Sequence, residues 1–131
     1  MNDYHKSIIK GIAEIVCLHY GLPESSLKMK SRKQSIREPR QIVFYFARKY
    51  IGQYVTLSEI GGVYGKDHAT VTHSAKLVNQ LIDLYPDFAK SIMQIDANIC
   101  VFLEGVSVTR DANVKDILKS LINKYGAIKV S

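Results

Sequence analysis

The sequence is poor in cysteine and has no apolar run near the roughly 20 residues that a membrane-spanning helix needs. Its two cysteines, Cys17 and Cys100, lie far apart within apolar helical patterns, so we expect two buried thiols and no disulfide framework. Residues 1–6 lack the charged and then apolar build of a secretory signal. These absences predict a protein of the reducing cytoplasm that makes no contact with a membrane.

Acidic residues are scarce over one stretch near the middle of the chain. Between Lys28 and Lys49 there are eight basic residues and a single acid, Glu38. This stretch therefore carries +7, whereas the whole chain carries +6. Positive charge concentrated in this way favours a polyanion such as nucleic acid or an anionic membrane surface, although a basic face can also be merely solvated.

Apolar residues make up 47% of the 131 residues, which is enough to bury the core of one compact domain. Pro39 is expected in the first turn of a helix, where its missing N–H is not needed. Residues 28–38 are predicted as an exposed basic loop and residues 105–110 as an extended connection. Apolar residues at every third or fourth position predict helices over about residues 3–20, 39–51, 57–63, 68–85, 87–104 and 111–125. The predicted fold class is all-α, a helical bundle with extra C-terminal helices.

One segment of the chain has the outline of a helix-turn-helix. Thr56, followed three residues later by Glu59, matches a capping box that opens a short helix. A turn containing Gly65 comes next, and Asp67 can cap the longer helix that follows. Because such units also occur as plain architecture, the pattern alone does not establish a function.

The longer helix begins with small or hydrogen-bonding side chains, namely His68, Ala69, Thr70, Thr72, His73 and Lys76. Side chains of this kind let a helix N-terminus approach the floor of the DNA major groove. Hydroxyl and imidazole groups can then meet base edges, and a methyl group can meet the thymine methyl. The free backbone N–H groups of a helix N-terminus can also meet a phosphate. We therefore interpret this helix as a recognition helix.

Two motifs carry a resemblance to a known family. The first is LSEIG at residues 57–61 followed by YGKDHATVTH at residues 64–73, and the second is SIREPRQ at residues 35–41. Together they resemble the C-terminal DNA-binding domain of the bacterial chromosomal replication initiator DnaA. The resemblance covers about residues 8–88, and the spacing between the two motifs is similar to that of the family.

The resemblance implies a Trp-repressor-like helix-turn-helix domain at residues 1–88 that binds double-stranded DNA. Residues 89–131 would form a helical extension, packed on this domain or used for association with a second copy or another protein. The implied role is the regulation of replication initiation or transcription by a nucleoid-associated protein of the bacterial cytoplasm. At 131 residues the chain leaves no room for the family's ATPase domain, so we expect a binder rather than an initiator.

The family's binding residues carry over by position. The recognition helix of the family reads the major groove of a DNA box at positions that are Asp67, His68 and Thr70 here. An arginine of the basic loop, here Arg32, reaches into the adjacent minor groove. The resemblance also implies base-edge and backbone contacts for Arg40 and Gln41 and a phosphate contact for Lys66. The complete set expected to contact DNA is Lys30, Arg32, Lys33, Arg37, Arg40, Gln41, Lys66, Asp67, His68, Ala69, Thr70, Thr72, His73 and Lys76.

The sequence departs from the family pattern at three places. Ala69 replaces a threonine, which keeps a methyl group and loses a hydroxyl. Glu38 replaces an arginine and places a negative charge near the expected phosphates. One glycine of a pair before Lys66 is missing, which predicts a tighter turn. These departures bear on the preferred DNA sequence, since one good base contact is worth about 1–3 kcal/mol of discrimination.

Nothing in the sequence predicts an enzyme, a cofactor or a metal site. Ile60 and Asp67 occupy positions where a phosphate-binding loop needs glycine and Ser or Thr. His68 and His73 are five residues apart, unlike the four-residue spacing of a zinc-binding helix. The alternative to box recognition is a helical interaction or dimerisation module with only non-specific DNA binding. The apolar row from Val114 to Tyr125, which lies outside the resemblance, favours this alternative.

Overall fold

The structure is a computed structural model that describes residues 1–108, and every regular element in this range is helical. The all-α prediction is thereby confirmed, while the helix predicted over 111–125 lies outside the described residues. A short 3₁₀ turn, Glu24–Lys28, lies between the first two helices. The α-helices are α1 Asp3–Tyr20, α2 Gln34–Ile51, α3 Leu57–Gly62, α4 His68–Leu84 and α5 Pro86–Val108.

The ends of α1 follow from local hydrogen bonding. The side chain of Asn2 accepts a hydrogen bond from the backbone N–H of His5 and caps the helix N-terminus. Gly21 ends the helix in the left-handed conformation, at φ 69°, and its N–H donates to the carbonyls of Cys17 and Leu18. Local sequence signals therefore set both ends of this helix, and the stop at Gly21 is formed as predicted.

The start of α2 corrects the prediction of a loop up to residue 38, because the helix begins at Gln34 and Pro39 lies inside it. The backbone N–H groups of Ile36 and Arg37 both donate to the carbonyl of Lys33, at 3.0 and 2.9 Å. Ile36 is also buried, so tertiary packing holds the first turn. A proline so near the helix start removes one hydrogen bond, and the packing outweighs that loss.

All described helices contribute to one hydrophobic core. Its largest fully buried side chains include Phe44 and Phe46 of α2 and Phe102 of α5. From α5, a row at helical spacing enters the same core, namely Ile92, Ile95, Ile99, Phe102 and Val106. The described part of the predicted extension therefore packs on α1 and α4. None of the helices in residues 1–108 is long and apolar enough to cross a lipid bilayer.

Three expectations near the core are wrong. The predicted connection at 105–110 is helical through Val108, because Val106 continues the buried row of α5. Tyr85, expected in the buried row of α4, is 56% exposed because it follows the helix with extended backbone angles. Cys100 is exposed beside the Tyr50 hydroxyl, at 3.3 Å from Sγ to Oη, whereas Cys17 is buried as expected. Burial raises the pKa of the Cys17 thiol to about 12, with Glu24 and Glu14 adding to the effect.

Substitution of Gly11 tests the contact between α1 and α5. A Cβ at this position would overlap the ring of Phe102, so we expect Gly11→Ala to lower the free energy of unfolding by about 1–3 kcal/mol. A destabilising effect would be informative, because replacing glycine by alanine in a helix interior ordinarily stabilises the helix. Urea unfolding measures the change. In a Phe102→Leu background the cost should largely disappear, and an equal cost in both backgrounds would contradict this packing.

Candidate nucleic-acid interface

The capping box at α3 is formed as the sequence predicts. The backbone N–H of Glu59 donates to Oγ1 of Thr56 at 3.1 Å, and the backbone N–H of Thr56 donates to Oε1 of Glu59 at 3.0 Å. Two N–H groups that would otherwise lack helical partners are thus satisfied. The capping box fixes where α3 begins and therefore where the following turn starts.

The turn between α3 and α4 packs tightly on a glycine of α3. Gly65 adopts φ 68°, which side-chain-bearing residues rarely adopt, and the N–H of Lys66 donates to the carbonyl of Gly61 at 2.9 Å. A Cβ at Gly61 would lie only 2.6 Å from the carbonyl oxygen of Lys66 and 2.9 Å from that of Asp67. The short turn therefore requires a position without a side chain in α3.

Tyr64 ties this turn to the rest of the protein, a contact that sequence reasoning missed. Its ring is 5% exposed and packs against Phe44 of α2, with 6.0 Å between ring centroids. Its hydroxyl donates to Oε1 of Glu24 in the 3₁₀ turn at 3.2 Å. Burial, together with the carboxylate of Glu24, raises the pKa of Tyr64, so the hydroxyl stays protonated and continues to donate. The only sequence signal was an aromatic residue in an otherwise polar turn.

Asp67 caps α4 as predicted, and the cap engages two residues that were expected to contact DNA, Asp67 itself and Thr70. Its Oδ1 accepts hydrogen bonds from the backbone N–H and the hydroxyl of Thr70, at 2.9 and 2.8 Å. These hydrogen bonds lower the pKa of Asp67, which remains ionised. Because the Thr70 hydroxyl donates to Asp67, its oxygen is left to accept hydrogen bonds from a ligand.

The exposed residues of α4 lie opposite a face that anchors the helix. Val71 and Val78 are buried in the core, and the hydroxyl of Ser74 donates to the carbonyl of Thr70 at 2.7 Å. Thr70 and Thr72 are half-buried, while the remaining expected contacts of this helix are exposed, namely His68, Ala69, His73 and Lys76. The N-terminal half of α4 is thus rigidly placed and open to a ligand.

The basic loop is shorter than predicted and comprises residues 29–33. Lys30, Arg32 and Lys33 are exposed along it. Arg40, for which the resemblance implies a contact with a base edge or the DNA backbone, is 5% exposed, and its guanidinium donates to carbonyls within and just before the loop. Burial, with the nearby charge of Arg37, lowers the pKa of this guanidinium from a very high ordinary value.

Glu38, expected to bring a negative charge near phosphates, is engaged by neighbouring side chains. The Tyr20 hydroxyl donates to Oε2 of Glu38 at 2.9 Å, and the Gln34 amide donates to Oε1 at 3.4 Å. Burial and the Glu38 carboxylate raise the pKa of Tyr20. The Arg37 guanidinium in turn donates to Oε1 of Gln34 at 2.8 Å. The carboxylate therefore links α1 to the first turn of α2.

A cleft of about 930 Å³ separates the basic loop from α4. It unites more than half of the expected contacts, namely Lys30, Arg32, Arg37, Arg40, Gln41, Lys66, Thr70 and His73. The remaining expected contacts do not line it, namely Lys33, Asp67, His68, Ala69, Thr72 and Lys76. Lys28, Ser31 and Gln34 line the cleft although sequence reasoning did not select them. Lys28 could have been found, since it belongs to the same basic run.

A capped helix-turn-helix beside a basic cleft makes this an all-α protein of the helix-turn-helix class, a DNA-binding fold. Residues 9–78 match the family model described as the bacterial DnaA protein helix-turn-helix. The chain belongs to this family, and the sequence-based resemblance is confirmed.

Individual relatives agree with the family model. The chain is 34% identical over 97 residues to the chromosomal replication initiator protein DnaA of Bacteroides thetaiotaomicron, covering 73% of this chain and 20% of that protein. It is 39% identical over 95 residues to the protein of the same name from Desulfotalea psychrophila, covering 72% and 18%. The chain therefore spans about a fifth of the length of these relatives. No solved structure matches the chain.

Neighbouring glycines of α3 provide a matched test of the turn. We expect Gly61→Ala to lower the free energy of unfolding by about 1–3 kcal/mol, because the added Cβ meets two backbone carbonyls that cannot easily move. Gly62→Ala adds a Cβ in open space and should be neutral or stabilising by up to about 1 kcal/mol. Thermal or urea unfolding measures both variants. Equal effects of the two substitutions would contradict the tight turn.

Proposed function

We propose that this protein binds double-stranded DNA at a box of the DnaA type. The N-terminal half of α4 enters the major groove, and the basic loop enters the adjacent minor groove. The observation that carries the proposal is the cleft between these two elements, which has cations on both walls. Membership of the DnaA helix-turn-helix family supports the same reading.

The cleft is suited to the sugar–phosphate strand that separates the two grooves. If α4 and the basic loop occupy neighbouring grooves, the intervening backbone must pass between them. Arg37 lines the cleft from α2, and Lys66 lines it from the turn before α4, so both charges face the path of the strand. His73 lines the α4 side and can donate to the strand, whose phosphate oxygens only accept. Such contacts set position and register but carry no sequence information. Thr70, on the same side, donates to Asp67 and is left to accept from a base edge instead.

Sequence would be read by the residues of α4 that lie away from the cleft. His68, Ala69 and Thr72 stand at or near the exposed N-terminal end of the helix, where a recognition helix meets base edges. The methyl group of Ala69 favours contact with a thymine methyl and offers no hydrogen bond, so the preferred box differs from that of a threonine-bearing relative. Lys33 and Lys76 are exposed outside the cleft and would contact flanking phosphates, and Lys30 would contact a phosphate within it.

The biological role that we propose is the regulation of replication initiation or transcription by occupancy of such boxes at the bacterial nucleoid. The relatives are chromosomal replication initiator proteins, and this chain corresponds to about a fifth of each. The proposal therefore concerns DNA recognition, the part of initiation to which the matched region corresponds.

A second candidate is a helical interaction module that binds DNA without sequence preference. Exposed apolar side chains at the end of α4 and on α5 favour it, because Leu84, Tyr85 and Met93 are 67%, 56% and 72% exposed. A homodimer or a protein partner could cover such a surface. Sedimentation of the free chain, combined with the binding comparison below, separates this candidate from box recognition.

Binding to a duplex that carries a DnaA box should exceed binding to a scrambled duplex by about a hundred-fold or more at near-physiological salt. Base-edge contacts of α4 and the minor-groove contact of Arg32 supply the difference. Fluorescence anisotropy with the two labelled duplexes at one fixed salt concentration measures the ratio. Because phosphate contacts alone bind both duplexes equally, a ratio near one would exclude sequence recognition and favour the interaction module.

Substitutions should separate reading from positioning. Arg32→Ala and His68→Ala are each expected to lower the box-to-scrambled ratio about ten-fold, which corresponds to the loss of one base contact. Lys66→Ala should weaken binding to both duplexes about equally and reduce the slope of log affinity against log salt concentration by about one. Lys10→Ala, a change of exposed charge on α1 outside the cleft, is the matched control and should do neither. Equal loss on both duplexes for Arg32→Ala would contradict its assignment to base reading.

A further inference from the structure

Arg40 is a buried cation that pairs with no carboxylate among residues 1–108. It is 5% exposed, and neither ion pair of the described residues includes it. Burying an unpaired charge is unfavourable unless its hydrogen-bonding groups are satisfied. An arginine in such a place therefore needs a structural reason in the groups that its guanidinium contacts.

Those groups are three backbone carbonyls along one segment of chain. Nη1 of Arg40 donates to the carbonyls of Leu27 and Met29, at 3.3 and 3.2 Å. Nη2 donates to the carbonyl of Ser31 at 3.5 Å. The contacts begin at Leu27, which is fully buried, and end in the middle of the basic loop. One side chain of α2 thus follows the loop from its anchored end to the residue before Arg32.

The conformation of the loop explains why it needs these contacts. Both ends of the loop are extended, with φ −70° and ψ 141° at Met29 and φ −62° and ψ 137° at Lys33. Backbone of this polyproline II kind makes no backbone–backbone hydrogen bonds of its own. Within the loop the N–H of Lys33 donates to Oγ of Ser31 at 3.2 Å, and this local contact does not tie the loop to the rest of the protein, so its position must be held from outside. Arginine is suited to this task because its planar fork presents five donors in a fixed geometry, whereas lysine presents a single ammonium group.

We infer that Arg40 is a positioning residue that holds the basic loop in the shape needed to present Arg32, and that it acts through the loop rather than by its own contact with DNA. The inference rests on the proposed function for its consequence in binding, while the loop shape is a property of the free protein. It differs from the direct contact with a base edge or the DNA backbone that the family resemblance implies for this position.

Mobility of the loop in the free protein gives the first test. Backbone ¹⁵N relaxation should give order parameters of about 0.85 for residues 30–33 of the wild type, and Arg40→Lys should lower them to less than about 0.6. Arg48→Lys is the matched control, since Arg48 is an exposed arginine of the same helix, and it should leave the loop unchanged. Unchanged order parameters in Arg40→Lys would overturn the inference.

A measurement on the wild type alone covers the case in which Arg40→Lys does not fold. The Nη protons of Arg40 should exchange with solvent much more slowly than those of Arg48, because they are buried on carbonyls. Exchange as fast as that of Arg48 would overturn the inference without any variant.

A double-mutant cycle with Arg32 gives the test in binding. Arg40→Lys should lower the box-to-scrambled ratio about ten-fold in the wild-type background, the same loss as Arg32→Ala. In the Arg32→Ala background it should change the ratio less than about two-fold, because interacting residues are not additive. Independent, additive losses would assign a direct DNA contact to Arg40. A wild-type ratio near one would instead contradict the proposed function, and the loop measurements would still decide the role of Arg40.

Discussion

Burial of α2 against α1 and α4 is the interaction on which the rest of the site depends. Phe44 and Phe46 are fully buried from this helix, and each such side chain stabilises the fold by roughly 1.5–3 kcal/mol. Both elements that flank the cleft are held by contacts with residues of α2 that lie about one helical turn apart. Arg40 holds the basic loop, and Phe44, four residues later, packs on Tyr64 of the turn before α4. The separation between loop and α4 is therefore a property of one buried helix.

One exposed charge of the site also supports the fold. Asp67 illustrates the economy of the site, because one carboxylate caps α4 and also fixes the direction of the Thr70 hydroxyl. A ligand that meets Thr70 consequently meets an acceptor, which selects donors such as an amino group on a base edge. A local stabilising contact therefore also sets the hydrogen-bonding polarity of the exposed surface.

The parts of the fold that the sequence predicted are those that neighbouring residues determine. The capping box at Thr56, the cap at Asp67 and the stop at Gly21 need only residues within one turn, and all three are formed. Errors arose where distant contacts decide. The first turn of α2 depends on burial of Ile36, and the end of α5 depends on burial of Val106. The motif resemblance predicted that the basic loop and α4 act together, whereas no pattern predicted the burial of Arg40, because a basic run gives no sign of which member turns inward.

Glu38 shows how a substitution that opposes the expected ligand is accommodated. A free carboxylate beside phosphates would repel them, yet this carboxylate accepts hydrogen bonds from Tyr20 and Gln34. Gln34 then accepts from Arg37, which lines the cleft, so the acid is linked to this cation through an intervening amide rather than by direct pairing. Direct pairing would have neutralised Arg37, whereas the intervening amide leaves its charge available and limits its movement. The negative residue thus strengthens the junction of α1 and α2 while the cleft keeps its positive field.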